Sequence, residues 1–177
     1  MPILPRHTAQ LLLAILLASP LQHTHLHAQA APDTSTPQME FVFEEVVTLG
    51  PSIHPGETPF GERNIIPITG GTVSGQHIKG TILPGGWDWQ LTTKSGCHRL
   101  QADYMIQTDD GVVINVLNKA TMCDTKSSKP SRTVTTPVFE APLGRYEWLN
   151  DGAYLGMLEG ATVNGKPAVR IRIYRAR

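Results

Sequence analysis

The most constraining feature of the sequence is an alternation of apolar and polar residues, interrupted at short intervals by turn residues. Side chains point to opposite faces along a β-strand, so a period of two is typical of strands with one buried face. The apolar spacing of an amphipathic helix is not sustained anywhere after residue 40. The pattern predicts ten strands: Phe41–Thr48, Arg63–Thr69, Gln76–Leu83, Trp87–Lys94, Arg99–Thr108, Val112–Met122, Arg132–Glu140, Arg145–Leu149, Ala153–Val163 and Lys166–Arg175. Short strands at nearly even spacing predict an all-β domain, a single antiparallel barrel of about 8–10 strands, with a β-sandwich as the alternative.

One hairpin is fixed by the dipeptide Asn164-Gly165. Asn and Gly tolerate the positive φ angles that both central positions of a type I′ turn require. A two-residue loop here pairs Glu159 with Arg170 and Leu158 with Ile171. An ion pair on one face and an apolar pair on the other support this register.

A second hairpin turns at Asp109-Asp110-Gly111, where a three-residue loop with a left-handed glycine is expected. Its register places Cys97 directly opposite Cys123, at a separation suited to a disulfide bond. The inner face of this hairpin is nearly all apolar, and we expect it to line the lumen of a closed barrel. Its residues are Leu100, Tyr104, Ile106, Ile114 and Val116, with Asn118 as one of few polar groups.

The first thirty residues resemble a secretory leader. Arg6 and His7 precede the apolar run Leu11–Ala18, and Ala28-Gln29-Ala30 fits a signal-peptidase site. The apolar run is shorter than the roughly 20 residues that a membrane-spanning helix needs. We therefore expect a signal peptide over 1–30, a disordered lead-in over 31–40 and one barrel domain over 41–177. The protein is expected to be exported, to the periplasm or beyond, where a disulfide bond is stable.

Composition and missing motifs exclude several functions. Fifteen basic and fifteen acidic side chains give no net charge, which disfavours a nucleic-acid-binding surface. Phosphate-binding, dinucleotide-binding and zinc-protease motifs are absent from the sequence. After the leader, the histidines are scattered without ligand spacing. We therefore expect no metal, no cofactor and no membrane span.

The segment Trp87–Thr92 carries the strongest candidates for a site. On a strand, Trp87 and Trp89 face one way, while Asp88 and Gln90 face the other. If the carboxyl faces a lumen, burial raises its pKa and suits Asp88 to acid or base catalysis. If the indoles face inward, Trp89 can stack on an aromatic ligand. The sequence does not decide between the two faces, and ordinary half-burial without any function is a third interpretation.

Two further groups of residues are candidates for contacts with a ligand. Asn118 lies on an apolar face, where a buried amide needs partners. In one interpretation the amide is a backbone bracket, that is, it forms structural hydrogen bonds to the main chain. In the other it orients a ligand in a pocket. Tyr146, Trp148 and Asn150 alternate onto one face of the strand predicted over 145–149, and the same two interpretations apply to Trp148 and Asn150.

Several motifs together resemble a known family. They are Ile68-Thr69-Gly70-Gly71-Thr72, Leu83-Pro84-Gly85-Gly86 with Asp88-Trp89-Gln90, Thr108-Asp109-Asp110-Gly111, Tyr146 with Trp148-Leu149-Asn150, and Gly156. In this order they are similar to domain-of-unknown-function family 3237, and the match extends from about Phe41 to Tyr174. The resemblance implies a calycin-like or lipocalin-like closed β-barrel, and it brings no established reaction.

Three functions fit these observations. The first is binding of a small apolar or aromatic molecule in the lumen, which needs only a cavity and a few polar groups. The second is a cofactor-independent cyclase or isomerase that uses Asp88, Tyr104 or Asn118 in the same cavity. The third is a structural envelope protein with a filled core. Whether the chain is an enzyme stays open, and the sequence is compatible with a homo-oligomer.

Overall fold

A computed structural model describes residues 36–123 and 133–177. These residues form ten β-strands and one short 3-10 helix, Glu147–Leu149. The strands are β1 Met39–Leu49, β2 Ile53–Thr58, β3 Gly61–Gly75, β4 Lys79–Ile82, β5 Gly86–Thr92, β6 Cys97–Thr108, β7 Val113–Cys123, β8 Thr133–Glu140, β9 Tyr154–Val163 and β10 Lys166–Ala176. The predicted leader and residues 31–35 lie outside the described residues. Because β1 begins at Met39, the last two residues of the predicted lead-in belong to a strand.

The strands close into an eight-stranded antiparallel barrel, which confirms the predicted fold class. The order β1-β10-β9-β8-β7-β6 continues through β4 and β5 to β3, and β3 pairs back with β1. β4 and β5 together occupy one strand position, because both pair with β3 on one side and β6 on the other. β2 adds only a hairpin arm on β3.

Both predicted hairpin registers are confirmed. β9 and β10 pair Glu159 with Arg170 and Leu158 with Ile171. Asn164 and Gly165 adopt the positive φ angles of 49° and 75° that the turn requires. β6 and β7 pair in the expected register from Cys97–Cys123 to Gln107–Val113.

One strand prediction is wrong, and one strand was not predicted. The segment predicted as a strand over 145–149 ends in the 3-10 helix Glu147–Leu149, because local contacts bend it. Glu147 Oε2 accepts a hydrogen bond from the Gly144 backbone, and the Asn150 backbone donates to the Glu147 carbonyl oxygen. The strand β2 was not predicted, because Pro55 and Gly56 interrupt its pattern with turn residues.

The inside of the barrel is filled at one end and hollow at the other. At the filled end, aromatic rings pack edge to face: Phe43 against Phe139 at 5.7 Å and Phe139 against Tyr154 at 5.0 Å. Ile106, Ile114 and Ile173 complete this packing and are fully buried. Further along the same strands the inward positions carry smaller or polar side chains, and they enclose a cavity.

No helix within residues 36–123 and 133–177 has the length and apolar character needed to span a bilayer.

Candidate functional site

The hollow end of the barrel contains a cavity of about 260 Å³ with mainly apolar walls. Ala102 and Ala120 leave room on the inner faces of β6 and β7. On β9, Gly156 lets the sheet close tightly, since a Cβ there would lie 2.1 Å from Thr135 Oγ1. The side chains that line the cavity include Val47, Leu49, Ile68, Asp88, Gln90, His98, Leu100, Tyr104, Asn118, Met122, Thr135, Leu158, Val169 and Ile171.

One wall of the cavity carries a chain of polar side chains on β3 and β5. Asn64 Nδ2 donates to Gln90 Oε1 at 2.9 Å, and Gln90 Nε2 donates to Asp88 Oδ2 at 2.7 Å. Burial raises the pKa of Asp88, and the hydrogen bond from Gln90 opposes this rise. Asp88 Oδ1 is buried without a hydrogen-bond partner in the described residues. Gln90 and the Gln101 backbone thus hold the Asp88 carboxyl group in the cavity wall.

A second carboxyl group lies behind the cavity, on β1. Glu45 shares the inward face of this strand with Phe43 and Val47, and its side chain has no solvent exposure. The Tyr104 hydroxyl crosses the barrel from β6 and donates to Glu45 Oε2 at 2.6 Å. Burial raises the pKa of Glu45 to about 7, although the hydrogen bond from Tyr104 lowers it. The pKa of Glu45 is therefore close to neutral pH, where its carboxyl group can both take and release a proton.

Tyr104 lines the cavity and connects Glu45 to it. Burial and the neighbouring Glu45 carboxylate raise the pKa of Tyr104 well above its usual value, while a hydrogen bond from the Asn118 amide opposes them. Asn118 is almost completely buried, and its Oδ1 has no partner among the described residues. Thr135 Oγ1 on β8 is likewise without one. Both oxygens belong to residues that line the cavity.

The structure brings four of the predicted site residues together: Asp88, Gln90, Tyr104 and Asn118. Asp88 pairs with Ala102, and Ala102 pairs with Asn118 on the next strand, so the two polar residues flank a small one. The strand spacing places them roughly 10 Å apart. The inner face of the hairpin lines the lumen as expected, and Asp88 and Gln90, not the indoles, face inward.

The other three candidates lie outside the cavity. Trp89 is on the outer face of β5 and is 42% exposed. Asn150 at the filled end brackets the backbone: its Oδ1 accepts from the Ala141 N–H at 2.8 Å and its Nδ2 donates to the Ala141 oxygen at 2.9 Å. Trp148 packs against the filled core. Trp148 and Asn150 lie outside the cavity for the same reason: Trp148 belongs to the 3-10 helix at the filled end of the barrel, and Asn150 directly follows it.

The predicted disulfide bond joins Cys97 to Cys123, with the two Cα atoms 4.1 Å apart. It links the first residue of β6 to the last residue of β7. The adjacent residues His98 and Met122 line the cavity, so the bond secures the hollow end of the barrel. Neither cysteine is available as a nucleophile.

The described residues contain no group of three or more His, Cys, Asp and Glu side chains placed to hold a metal ion. The cavity wall holds groups that can transfer protons. The Asp88 carboxyl group, the Tyr104 hydroxyl and two amides line it, and the Glu45 carboxyl group lies behind Tyr104. Burial raises the pKa of both carboxyl groups. Apolar walls strengthen electrostatic interactions and favour acid–base chemistry on a small molecule.

Comparison with known proteins places this barrel in a family. Residues 37–176 match the family described as "Protein of unknown function (DUF3237)". A UPF0311 protein of Rhodopseudomonas palustris is 33% identical over 135 residues, which cover 70% of this chain and 88% of that protein. The crystal structure of a β-barrel-like protein from Acinetobacter baumannii superimposes with a TM-score of 0.68 at 29% identity, over 84% of this chain and 100% of that one.

A more distant relative is named as an enzyme. The hydroalkoxylation enzyme phnH of Penicillium herquei is 28% identical over 115 residues, 65% of this chain and 70% of that protein. The crystal structure of an enzyme from Penicillium herquei superimposes with a TM-score of 0.58 at 25% identity, over 77% of this chain and 94% of that one. The resemblance inferred from the sequence motifs is therefore confirmed, and one relative carries a named reaction.

Proposed function

The chain belongs to the DUF3237 family of proteins of unknown function, and on this premise we propose that it is an exported, cofactor-independent enzyme. Its cavity binds a small, mainly apolar molecule that carries a hydroxyl group. The reaction adds that hydroxyl group across a carbon–carbon double bond of the same molecule and so closes a ring. Ligand binding and cyclisation, which the sequence suggested as alternatives, thus take place in one site.

The observation that carries the proposal is the set of unpartnered oxygens in an otherwise apolar cavity. Asp88 Oδ1, Asn118 Oδ1 and Thr135 Oγ1 are buried, and each lacks a hydrogen-bond partner in the described part of the chain. Leaving one such group unsatisfied costs about 1–3 kcal/mol. A purely structural barrel gains nothing from three of them around one void. They suit a ligand that presents a hydroxyl group between apolar surfaces.

The proposed reaction needs no oxidant, reductant or cofactor. The O–H bond and the π bond are broken, a C–O bond and a C–H bond are formed, and the product is an isomer of the substrate. A group that accepts the hydroxyl proton and a group that delivers a proton to carbon are sufficient. The name of the Penicillium herquei relative supports this class of reaction, and the carboxyl and hydroxyl groups of the cavity fit both roles.

The size of the cavity suits a substituted benzene. An apolar cavity of roughly 150 Å³ is enough for benzene itself, and the cavity here measures about 260 Å³. We therefore choose ortho-allylphenol as the test compound, because internal addition of its hydroxyl group gives a methyl-dihydrobenzofuran of unchanged mass. Chiral chromatography separates the product from its substrate and reveals whether one enantiomer dominates.

The experiment compares the wild type with two leucine variants on the same strand. Ala102→Leu fills the cavity between Asp88 and Asn118, whereas Gln101→Leu adds the same side chain on the outer face of β6. We expect an enantiomeric excess from the wild type and from Gln101→Leu, and none from Ala102→Leu. If the wild type binds ortho-allylphenol but does not cyclise it, the function is ligand binding alone. The absence of both would refute the proposal.

Export is supported by the leader pattern of residues 1–30 and by the disulfide bond, which suits an oxidising compartment. Its test is the intact mass of the protein recovered from the periplasm or medium of its own host. We expect a chain that begins near Ala31. A mass that still includes the run Leu11–Ala18 would contradict the proposed processing.

A further inference from the structure

Glu45 has a position that binding alone does not explain. It is fully buried on β1 and is not among the residues that line the cavity, whereas its hydrogen-bond partner Tyr104 is. We propose, on the basis of the proposed function, that Tyr104 takes the hydroxyl proton of the substrate while passing its own proton to Glu45. Tyr104 is then the catalytic residue, and Glu45 is a positioning residue that acts only through it.

The direction of the hydrogen bond supports this relay. Tyr104 donates its hydroxyl hydrogen to Glu45 Oε2, at 2.6 Å. The lone pairs of the tyrosine oxygen are then free to accept hydrogen bonds, one of them from the Asn118 amide. A substrate hydroxyl group that enters the cavity can donate to the same oxygen. Three groups are thus arranged in order: substrate hydroxyl, Tyr104 and Glu45.

The transfer balances without a charged tyrosine. The substrate O–H bond breaks, and its proton bonds to the Tyr104 oxygen. The original Tyr104 proton bonds to Glu45 Oε2, which becomes a neutral carboxyl group. The electron pair left on the substrate oxygen forms the new C–O bond, and the carbon at the other end of the former double bond takes a proton from protonated Asp88, the other carboxyl group at the cavity. After the product leaves, Glu45 passes its proton back through Tyr104 to water in the emptied cavity, and Asp88 takes a proton from that water.

The surroundings of Glu45 fit a proton acceptor with a raised pKa. The residues that pair with it across the sheet are Ile171 on β10 and Val73 on β3, both apolar. Arg170 and Arg172 on β10 form ion pairs with Glu44, the neighbour that points the other way. In the described residues no cation forms an ion pair with Glu45. The titratable groups that face it or the adjoining cavity are Tyr104, Asp88, His98 and Lys119.

The first test is the pH dependence of ortho-allylphenol cyclisation. The relay needs Glu45 ionised, whereas proton delivery to carbon needs Asp88 protonated, so kcat/KM of the wild type carries both titrations. The ratio of kcat/KM in the wild type to kcat/KM in Glu45→Gln isolates Glu45, because Asp88 is common to both proteins. We expect this ratio to rise about tenfold per pH unit up to about pH 7 and to level off above it. On that plateau Glu45→Gln and Tyr104→Phe should each lose about 10²–10⁴-fold in kcat/KM. The same ratio measured in a His98→Gln background should keep this rise, which excludes histidine as its source. A ratio that does not change with pH would overturn the relay.

The second test does not require turnover. Phenol and toluene have nearly the same shape, and only phenol can donate a hydrogen bond to Tyr104. Their affinities, measured by calorimetry between about pH 5 and 8, should show a preference for phenol that rises as Glu45 ionises. The preference should not vary with pH in Glu45→Gln. If the wild type fails to cyclise ortho-allylphenol but shows this behaviour, the proposed reaction is wrong and the relay stands. A preference independent of pH in the wild type would refute the relay itself.

Discussion

Glu45 is the residue in which stability and function oppose each other most directly. Its pKa is about 7 in the folded protein, against 4.5 for an exposed glutamate. Between these values the folded state binds a proton that the unfolded chain releases, so stability falls as pH rises through this window. The difference corresponds to about 3 kcal/mol once Glu45 is fully ionised.

We therefore predict that Glu45→Gln removes much of this pH dependence. Relative to the wild type, the variant should gain up to about 3 kcal/mol of unfolding free energy between about pH 5 and pH 8. Urea denaturation at both pH values measures the change. Glu44→Gln is the matched control, since this neighbouring carboxylate is partly exposed and pairs with Arg170 and Arg172. Identical pH profiles for wild type and Glu45→Gln would contradict the assignment.

Asn118 gives a second prediction for a single residue. The amide could have been a bracket for the backbone, but its Oδ1 is unpartnered and its contact is with Tyr104. Replacing Asn118 with Leu should therefore leave the free energy of unfolding within about 1 kcal/mol of the wild type, or raise it, because no backbone partner is lost. Affinity for phenol should fall. A melting curve with and without phenol checks both expectations, and a loss of about 1–3 kcal/mol both with and without phenol would restore the bracket interpretation.

At the scale of strands and turns, local chemistry made the hairpins predictable. Asn164 and Gly165 leave few alternatives for a turn, and one fixed turn sets the pairing of both strands. The alternation at Tyr146–Asn150 led to a wrong strand prediction. A five-residue pattern does not show whether a partner strand is present to pair with it. There the local hydrogen bond from the Gly144 backbone to the Glu147 side chain prevailed.

The candidate site was predictable only in part, for a related reason. The alternation of Phe43, Glu45 and Val47 already placed a carboxyl group on an apolar face, and this signal was overlooked. The partner of that carboxyl group could not be found from the pattern, because Tyr104 lies 59 residues away and reaches Glu45 only when the barrel closes. Closure joins β1 to β3 and β10, and it depends on the whole chain.

The bond between β6 and β7 gives a prediction at the same scale. Cys97 and Cys123 are 26 residues apart, and a loop of that length restricts the unfolded chain by about 3.5 kcal/mol. The double variant Cys97→Ala/Cys123→Ala should lose roughly this amount of stability in urea denaturation. The wild type with added reductant should approach the same value, while the variant should not respond to reductant. A stability unchanged by reductant would show that the pairing of β6 with β7 alone secures the hollow end.

The molecule as a whole combines a packed half that supplies stability with a hollow half that holds the reactive groups. Residues of one strand belong to both halves: on β6, Ile106 is fully buried in the core, whereas Leu100 lines the cavity and is only half-buried. A buried side chain that is cut back leaves a void surrounded by tightly packed neighbours. A side chain at the cavity already lacks neighbours on one side, so its truncation only enlarges a space that exists.

The same truncation should therefore have unequal effects at the two ends of β6. Ile106→Ala should lower the free energy of unfolding by about 2–5 kcal/mol. Leu100→Ala should lower it by about 1 kcal/mol, the contribution of a partly buried side chain without a new enclosed void. Phenol affinity should change more in Leu100→Ala than in Ile106→Ala, because of these two residues only Leu100 lines the cavity. Urea denaturation and calorimetry on the two variants measure both quantities. Equal losses of stability would show that the hollow end is packed as tightly as the core, and the cavity would then not be a binding site.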